Sequence, residues 1–232
     1  MIKRIRFATR SSGVPLDAFS SAWRDAVAGA AQAPPGVRPS RVAVCIALPG
    51  PEDPRHDGIG IEWFAGAGHL RRYRDWLGTP DGHLLLHRAD RVLDRDASPV
   101  VVADETVLRG ADWLERRWRD GGEKLKHMAI ALRASDLTLA EFSARWRGHA
   151  GQAGRGAQVT VIPDGARGRA YVQNHPSPRP VGEWAYDALN EVYFDDAQGL
   201  RARIEWFRAN LPGNGGLFRK SWFIAAREEV LA

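Results

Sequence analysis

The sequence predicts an α+β fold made of two tandem copies of one β-α-β-β-α-β unit. Its first basis is a pattern of aromatic and charged residues, Phe-Ser-x-x-Trp-Arg, that occurs twice with a displacement of 123 positions. Two further groups of residues also recur in the same order, displaced by 130 and then again by 123 positions. Such recurrence indicates an internal duplication whose loops have changed in length. The matched groups begin at Phe19 and Phe142, at Asp57 and Asp187, and at Ala103 and Ala226.

Hydrophobic spacing places the elements of the first copy in order. A short strand over Lys3–Thr9 precedes a helix in which Leu16, Phe19 and Trp23 fall at helical spacing. Apolar and small residues alternate over Val42–Leu48, as in a second strand. The remaining elements are a strand over Asp57–Phe64, a helix over Gly68–Leu77 and a strand over Val100–Val107.

The second copy repeats this order. Its first strand covers Leu125–Leu132, and its first helix opens with Thr138 and Glu141, a capping-box pair that satisfies free amides at a helix start. A helix over Ala111–Arg119 bridges the copies. The predicted organisation is a first repeat over residues 1–109, a bridging helix and linker over 110–124, and a second repeat over 125–232.

The β-α-β-β-α-β order is that of the ferredoxin-like unit, an antiparallel sheet with both helices on one face. The other face of such a sheet must be covered, and the second copy is the obvious cover. We therefore expect two ferredoxin-like repeats packed sheet to sheet as a pseudo-dimeric α/β barrel, with a ligand cavity between the sheets.

Alternation along the strands predicts which side chains face that cavity. Met128, Ile130 and Leu132 form the large apolar set expected to pack on helices, which leaves His127 facing the other sheet. The same reasoning predicts that a set of polar side chains of the second copy faces the cavity, together with two arginines of the first copy. These are Tyr171, Gln173, His175 and Asn190, with Arg4 and Arg6.

Composition excludes several classes of protein. The chain of 232 residues is 44% hydrophobic and 26% charged, in the range of folded globular proteins. The net charge of +5 comes from scattered arginines, so we expect a solvated basic surface and no nucleic-acid partner.

The single Cys45 lies in an apolar run typical of an inert core thiol. The first residues lack a signal-peptide pattern and no apolar run would span a bilayer, so we expect a cytoplasmic protein without a membrane partner.

Three motifs of the second copy are informative together: FSARWRGHA from Phe142, YVQNHP from Tyr171, and YDALNEVYFD from Tyr186. They resemble the signature of the EthD family in the dimeric α/β-barrel superfamily, over most of residues 125–231. The first copy is similar only weakly, since Ala26 stands where His149 is expected. The resemblance implies a fused barrel and a small aromatic or polyketide-like ligand handled without a bound metal.

The candidate catalytic residues are His175, Tyr171 and His149. His175 has the pKa range for exchanging a proton near neutral pH, and a phenol at Tyr171 would hydrogen-bond a carbonyl or enolate oxygen. The structural alternative for His175 is a strand-end histidine bonded to a loop carbonyl. His149 shares the buried helical face of Phe142 and Trp146, so it either braces the helix or contacts a ligand.

A further set of residues is expected to orient the substrate or to line its pocket. Inward arginines would hold a carboxylate or phenolate, unless their strand is a solvated edge. Aromatic residues before the third strand would form the rim of a pocket for a flat ligand. The set comprises His127, Gln173, Asn190, Tyr186, Trp184, Arg4 and Arg6.

Three functions remain open at the level of sequence. The first is an enzyme that performs acid-base chemistry without metal on a carbonyl-containing aromatic or polyketide-like substrate, of the cyclase, dehydratase or monooxygenase type. The second is a binding protein that holds a small hydrophobic or aromatic ligand without catalysis. The third is a barrel that binds haem. Haem is expected in this third alternative only, and no cofactor is expected in the other two. The fused copies would act as a monomeric pseudo-dimer or associate further as a homodimer.

Overall fold

The computed structural model describes residues 1–50, 54–121, 123–148, 152–153, 160–179, 181–210 and 216–232. The chain forms two compact units. Unit 1 consists of Met1–Glu105, Gly121–Glu123 and Ala226–Ala232, and unit 2 of Thr106–Asp120 and Lys124–Ala225. Among the helices of the described ranges, none combines the length and apolar character needed to cross a membrane.

Unit 1 is an antiparallel sheet with helices in its connections. Its strand order is β4-β1-β3-β2, and β2 pairs on its other edge with the end of the last strand of the chain. The elements are β1 (Ile2–Ala8), α1 (Leu16–Ala28), β2 (Arg41–Ala47), β3 (Gly58–Phe64), α2 (Ala67–Leu77), α3 (Pro80–Asp90) and β4 (Val100–Arg109).

Unit 2 repeats the order of elements around a sheet in which β9 pairs with both β5 and β8. It begins with the end of β4 and the predicted bridging helix. Its elements are α4 (Ala111–Asp120), β5 (Glu123–Arg133), α5 (Leu139–Gly148), β6 (Gln152–Ala153), β7 (Thr160–Val161), α6 (Asp164–Arg167), β8 (Ala170–Pro176), β9 (Ala188–Phe194), α7 (Ala197–Ala209) and β10 (Phe218–Val230).

The α+β class is confirmed, and each half of the chain has the β-α-β-β-α-β order. Four features of the described residues lie outside the prediction: the 3-10 helix Gly29–Gln32 and α3 in the first half, and the β6-β7 ladder and α6 in the long connection of the second. The common origin of the two halves and the packing of one sheet on the other stay predictions.

On the helix side of each sheet, small residues lie opposite the aromatic side chains of the first helix. A β-carbon added at Gly58 would lie 2.7 Å from the Trp23 indole, and one at Gly60 would lie 2.9 Å from Val27. In unit 2, Ala131 and Ala188 belong to one buried cluster with the aromatic residues of α5. The helices thus bring large aromatic side chains to the contact, and the strands accommodate them with small ones.

This arrangement reverses the predicted faces. Cross-strand partners share a face of a sheet, and Met128 is paired with Glu191 while Ala131 is paired with Ala188. Because Ala131 packs on α5, Met128 and Ile130 lie on the face away from α5, which in β8 and β9 packs on α4. The prediction that Met128 and Ile130 face the helices of their own repeat is therefore wrong. The side chains expected to face the other sheet, including those of His127, Tyr171, Gln173, His175 and Asn190, lie on the helix side instead.

In the second strand of each copy, sequence alternation predicts that Val44 matches Val172 and that both lie on the helix side, and this match is one residue out. Val44 pairs with Gly60, and Gln173 pairs with Asn190. Since Gly60 and Asn190 correspond at a displacement of 130, Val44 corresponds to Gln173 rather than to Val172. Val44 lies on the side of α1, as expected, whereas Val172 lies on the face opposite to α5 and packs on Leu114 of α4.

Candidate functional site

A layer of polar side chains lies between the strands β5, β9 and β8 of unit 2 and the helices α5 and α7. We call it the polar layer. All its members are buried except Tyr171, which is half-buried. The polar layer consists of His127, Trp146, Tyr171, Gln173, His175, Asn190 and Arg203.

Strand register brings these residues together in rows. His127 on β5 is opposite Val192 on β9, which is opposite Tyr171 on β8. In the next row, Asn190 on β9 is opposite Gln173 on β8. Adjacent strands lie about 4.8 Å apart, so His127 and Tyr171 have Cα atoms roughly 10 Å apart on one face.

A continuous chain of hydrogen bonds fixes one end of the polar layer. Asn190 Nδ2 donates to the Tyr171 hydroxyl at 2.8 Å, and Trp146 Nε1 donates to Asn190 Oδ1 at 3.1 Å. Gln173 Nε2 donates to the backbone oxygen of Trp146 at 3.1 Å, which leaves its Oε1 to accept from His175 Nε2 at 3.1 Å. Gln173 and Asn190 therefore hold Tyr171 and His175 in place.

Arg203 of α7 binds His127 in the row that also holds Tyr171. Its Nε donates to His127 Nδ1 at 3.1 Å, and its Nη1 donates to the backbone oxygen of Ala166 at 3.1 Å. Because Nδ1 of His127 accepts, the neutral ring carries its proton on Nε2. The His127 ring stacks on Phe223 at a centroid distance of 4.8 Å. Burial, with a smaller contribution from the Arg203 charge, lowers the pKa of His127 to about 3, so the ring is neutral at physiological pH.

Arg203 is a buried cation, and no carboxylate of the described residues forms an ion pair with it. Burial lowers its pKa to about 10; Tyr171 opposes this shift and Arg109 adds to it. Burial also raises the pKa of Tyr171, against the opposing influences of Gln173, Arg203 and Arg109. Tyr171 is thus a protonated phenol beside a guanidinium without a counter-charge.

The other predicted site residues lie elsewhere. Arg4 and Arg6 are on the helix side of the sheet in unit 1, with the Arg6 guanidinium 4.9 Å from the Trp23 ring centroid. Trp184 Nε1 donates to the backbone oxygen of Ser177, and Tyr186 packs on Trp222 at a ring distance of 5.1 Å. The predicted catalytic His149 lies outside the described residues.

Sequence reasoning missed Arg203, the only charged side chain that the described part of the polar layer contains. One signal for it was present. Arg203 follows Leu200 by three positions and precedes Phe207 by four, so a charged residue occupies the apolar stripe of α7. A buried cation at such a position must find partners in the sheet that the helix covers.

No protein-family model matches the chain, and no curated protein matches it in sequence. Solved structures match nearly its whole length. A proposed monooxygenase from Lactobacillus acidophilus is 9% identical, with a TM-score of 0.49 over 97% of this chain and 93% of its own. One from Fusobacterium nucleatum is 7% identical, with a TM-score of 0.49 over 100% and 92%. A variant of chlorite dismutase from Candidatus Nitrospira defluvii is 6% identical, with a TM-score of 0.47 over 99% and 91%.

These similarities are too distant to transfer a function. With identities of 6% to 9% and TM-scores below 0.5, no activity or ligand of those proteins is assigned to this chain. Membership of the EthD family stays a prediction from the three motifs of the second copy.

Proposed function

We propose that unit 2 is a small-molecule enzyme of acid-base type, which acts on a carbonyl-containing aromatic or polyketide-like substrate at the Tyr171 end of the polar layer. Tyr171 donates its hydroxyl proton in a hydrogen bond to the substrate carbonyl oxygen. Arg203 stabilises the negative charge that develops on that oxygen when a neighbouring C–H proton passes to a water molecule of the solvent.

The observation that supports this proposal is the buried guanidinium of Arg203 beside a protonated phenol. A buried cation without a counter-charge favours an anion in its neighbourhood, and an enolate oxygen is such an anion. Asn190 donates to the Tyr171 oxygen at 2.8 Å, so the hydroxyl proton of Tyr171 points to a different acceptor. That acceptor is the substrate oxygen in our proposal.

The position of His175 constrains the substrate. His175 and Tyr171 are four residues apart on β8, so their Cα atoms are roughly 13 Å apart. One small ketone does not reach both groups. We therefore assign His175 to proton exchange at the far end of an extended ligand, and Tyr171 to the oxyanion at the near end.

A specific observation favours the alternative of a binding protein without catalysis. The amides of Gln173 and Asn190 are bonded within the polar layer, as expected for a structural network. Haem binding is the weaker alternative, because Nδ1 of His127 accepts from Arg203 and its Nε2 carries the proton, so the neutral ring offers no nitrogen lone pair to a porphyrin iron. A titration with haemin that produced a Soret band lost in a His175→Gln variant would revive it.

The test uses phenylacetone, a small ketone that probes the Tyr171 end of the polar layer alone. Exchange of its α-protons in D2O is followed by ¹H NMR with the full chain, and its binding is followed by saturation transfer. We expect exchange above the buffer rate, reduced by on the order of 10²-fold in Tyr171→Phe, as for loss of one oxyanion donor.

Tyr193→Phe is the matched control, since Tyr193 lies on β9 and bonds Glu191 on the other face of the same sheet. It should exchange the probe at the wild-type rate. Binding of phenylacetone without any acceleration of exchange would support the non-catalytic alternative, and equal rates in wild type and Tyr171→Phe would exclude the role of Tyr171.

A further inference from the structure

Trp146 of α5 lies where two hydrogen-bond chains of the polar layer meet. Its indole Nε1 donates to Asn190 Oδ1 at 3.1 Å, and its backbone oxygen accepts from Gln173 Nε2 at 3.1 Å. The first chain continues from Asn190 to Tyr171, and the second continues from Gln173 to His175. Through one amide in each case, Trp146 is therefore linked to both groups to which the proposed function assigns a proton.

The indole of Trp146 sets the direction of the first chain. An indole N–H donates and never accepts, so only the oxygen of the Asn190 amide can face it. The amide nitrogen then faces Tyr171, whose hydroxyl oxygen accepts from it at 2.8 Å. With the amide turned over, Tyr171 would donate to Asn190 and would offer no proton to a ligand. The contact with Trp146 excludes this reversed arrangement.

The backbone of Trp146 sets the direction of the second chain. A carbonyl oxygen only accepts, so the Gln173 side chain turns its nitrogen to Trp146 and its oxygen to His175. The imidazole nitrogen opposite that oxygen is Nε2, at 3.1 Å, and it must donate. The neutral ring of His175 thus carries its proton on Nε2 and its lone pair on Nδ1.

The packing of Trp146 is rigid enough to impose these directions. Its side chain is buried, stacks on Phe142 at a ring distance of 5.6 Å and meets Phe218 edge-on at 5.8 Å. The amide of Asn190, in contrast, has two orientations of nearly the same shape, which differ only in the exchange of oxygen and nitrogen. The fixed indole therefore decides which of the two orientations the amide takes.

The first copy contains the same tryptophan without this role. Trp23 matches Trp146, and Gly60 matches Asn190 at the displacement of 130. The indole Nε1 of Trp23 is buried and makes no hydrogen bond among the described residues, and a β-carbon added at Gly60 would lie 3.2 Å from its ring. Packing alone accounts for a tryptophan at this position, and unit 2 adds the amide that uses its N–H group.

We propose that Trp146 is a positioning residue, which orients the amides of Asn190 and Gln173 and thereby sets the protons that Tyr171 and His175 present to a ligand. Trp146 acts through these amides and not on the substrate itself. The directions of the hydrogen bonds follow from the contacts within unit 2 alone, whereas their effect on catalysis rests on the proposed function.

The direct test is the orientation of the Asn190 amide in Trp146→Phe, which keeps an aromatic ring and loses the indole N–H. In the ¹⁵N-labelled wild type, NMR should show a nuclear Overhauser effect between the NH2 protons of Asn190 and the ring of Tyr171. In Trp146→Phe the amide can turn its oxygen to the Tyr171 hydroxyl, so this effect should be lost. Exchange of phenylacetone should slow by roughly fivefold, as for loss of one hydrogen bond. In a Tyr171→Phe background, Trp146→Phe should have no further effect.

Trp206→Phe is the matched control, because Trp206 on α7 packs on Phe207 and bonds no member of the polar layer. It should keep the Overhauser effect and the wild-type exchange rate. Trp146→Phe also carries an internal control. Its backbone oxygen remains, so ¹⁵N NMR should still find the proton of neutral His175 on Nε2.

The proposal is overturned if wild type lacks the Overhauser effect, or if folded Trp146→Phe keeps it at full strength. A change of the His175 tautomer in Trp146→Phe also overturns it, since the whole layer has then loosened. If Trp146→Phe proves unfolded by circular dichroism, deuterium exchange of the Trp146 indole proton decides. This exchange should be faster in Asn190→Ala than in wild type, and equal rates exclude the contact. A wild-type chain that does not accelerate phenylacetone exchange refutes the proposed function, while the NMR tests of Trp146 still apply.

Discussion

His127 illustrates how one side chain couples burial to charge in unit 2. Its ring is 3% exposed, accepts from Arg203 and stacks on Phe223. A charged imidazole at this position would face a cation at hydrogen-bond distance, so the folded protein favours the neutral ring. The unfolded chain has no such preference, and its histidine titrates near the ordinary pKa of about 6.5.

This difference makes stability depend on pH. Between pH 6.5 and about 3 the unfolded chain binds the proton and the folded chain does not, so stability falls as the pH falls. The loss is at most about 1.4 kcal/mol per pH unit, or about 2 kcal/mol between pH 6.5 and 5. Urea unfolding at several pH values should show this change of the free energy of unfolding with pH. In His127→Asn the slope should be smaller by up to about 1.4 kcal/mol per pH unit, which is the contribution of one proton.

The exposed His83 provides the control, and His83→Asn should keep the wild-type slope. A remaining slope in His127→Asn is expected, because burial also lowers the pKa of His56 to about 4. An unchanged slope in His127→Asn would contradict the assignment of a neutral, buried ring.

Recurrence in the sequence predicted structural residues better than functional ones. Asp57 and Asp187 begin matched groups of the two copies, and their presence in both favours a shared structural role. Each accepts hydrogen bonds from an arginine. Asp57 bonds the backbone and side chain of Arg10, and Asp187 bonds those of Arg133. The grouping of Tyr171, Gln173, His175 and Asn190 on one face also followed from strand alternation. Arg203 did not, because no strand periodicity reports on a residue of a covering helix.

At the scale of elements, the contact between α1 and β3 depends on glycine. Trp23 lies against Gly58 and Gly60, where the absence of side chains lets the indole approach the strand. The helix boundaries behave as their sequence predicts. Thr138 and Glu141 form the expected capping box, with Thr138 N donating to Glu141 Oε2 at 2.9 Å and Glu141 N to Thr138 Oγ1 at 3.2 Å.

We expect Gly58→Ala to destabilise the protein by about 1–3 kcal/mol, the usual cost of overpacking. The added methyl group would lie 2.7 Å from the rigid indole of Trp23, which must move. Gly66→Ala is the control, since no atom lies within 4 Å of its added β-carbon, and it should change stability by less than about 0.5 kcal/mol. Urea unfolding measures both, and equal stability of the two variants would refute the close contact.

The faces of the strands were the part of the fold that alternation could not assign. All seven residues of β3 and all seven of β9 are buried. Since neither face of these strands meets water, no polar side marks which face the helices cover. The faces were then assigned on the expectation that large apolar strand residues lie on the helix side. This expectation failed because the helices themselves supply the large side chains of that contact.

At the scale of the whole molecule, the two units are interleaved along the chain. Unit 1 takes its first 105 residues from the start of the sequence, but it also includes Ala226–Ala232 from the end. In that segment, β10 pairs antiparallel with β2, from Ala226 opposite Ala47 to Val230 opposite Ala43. The sheet of unit 1 is therefore complete only with the last strand.

We expect Glu229→Pro to destabilise unit 1 by about 3 kcal/mol or more, because proline cannot donate to the ladder with β2. Amides of β2 should then exchange with solvent faster, which hydrogen-exchange mass spectrometry measures. Glu229→Gln keeps the backbone donor and loses only the exposed pair with Arg24, so it should cost at most about 1 kcal/mol. Equal protection of β2 in both variants would contradict this role of β10.

The pairing of β2 with Ala226–Val230 also has a consequence for folding during synthesis on the ribosome. Chains emerge from the ribosome with their N-terminal part first, and domains commonly fold in that order. Here the strand that completes unit 1 leaves the ribosome after nearly all of unit 2. During translation, β2 consequently presents a bare edge of the kind that invites mispairing, and this edge stays bare until Ala226–Ala232 have been synthesised and can pair with it.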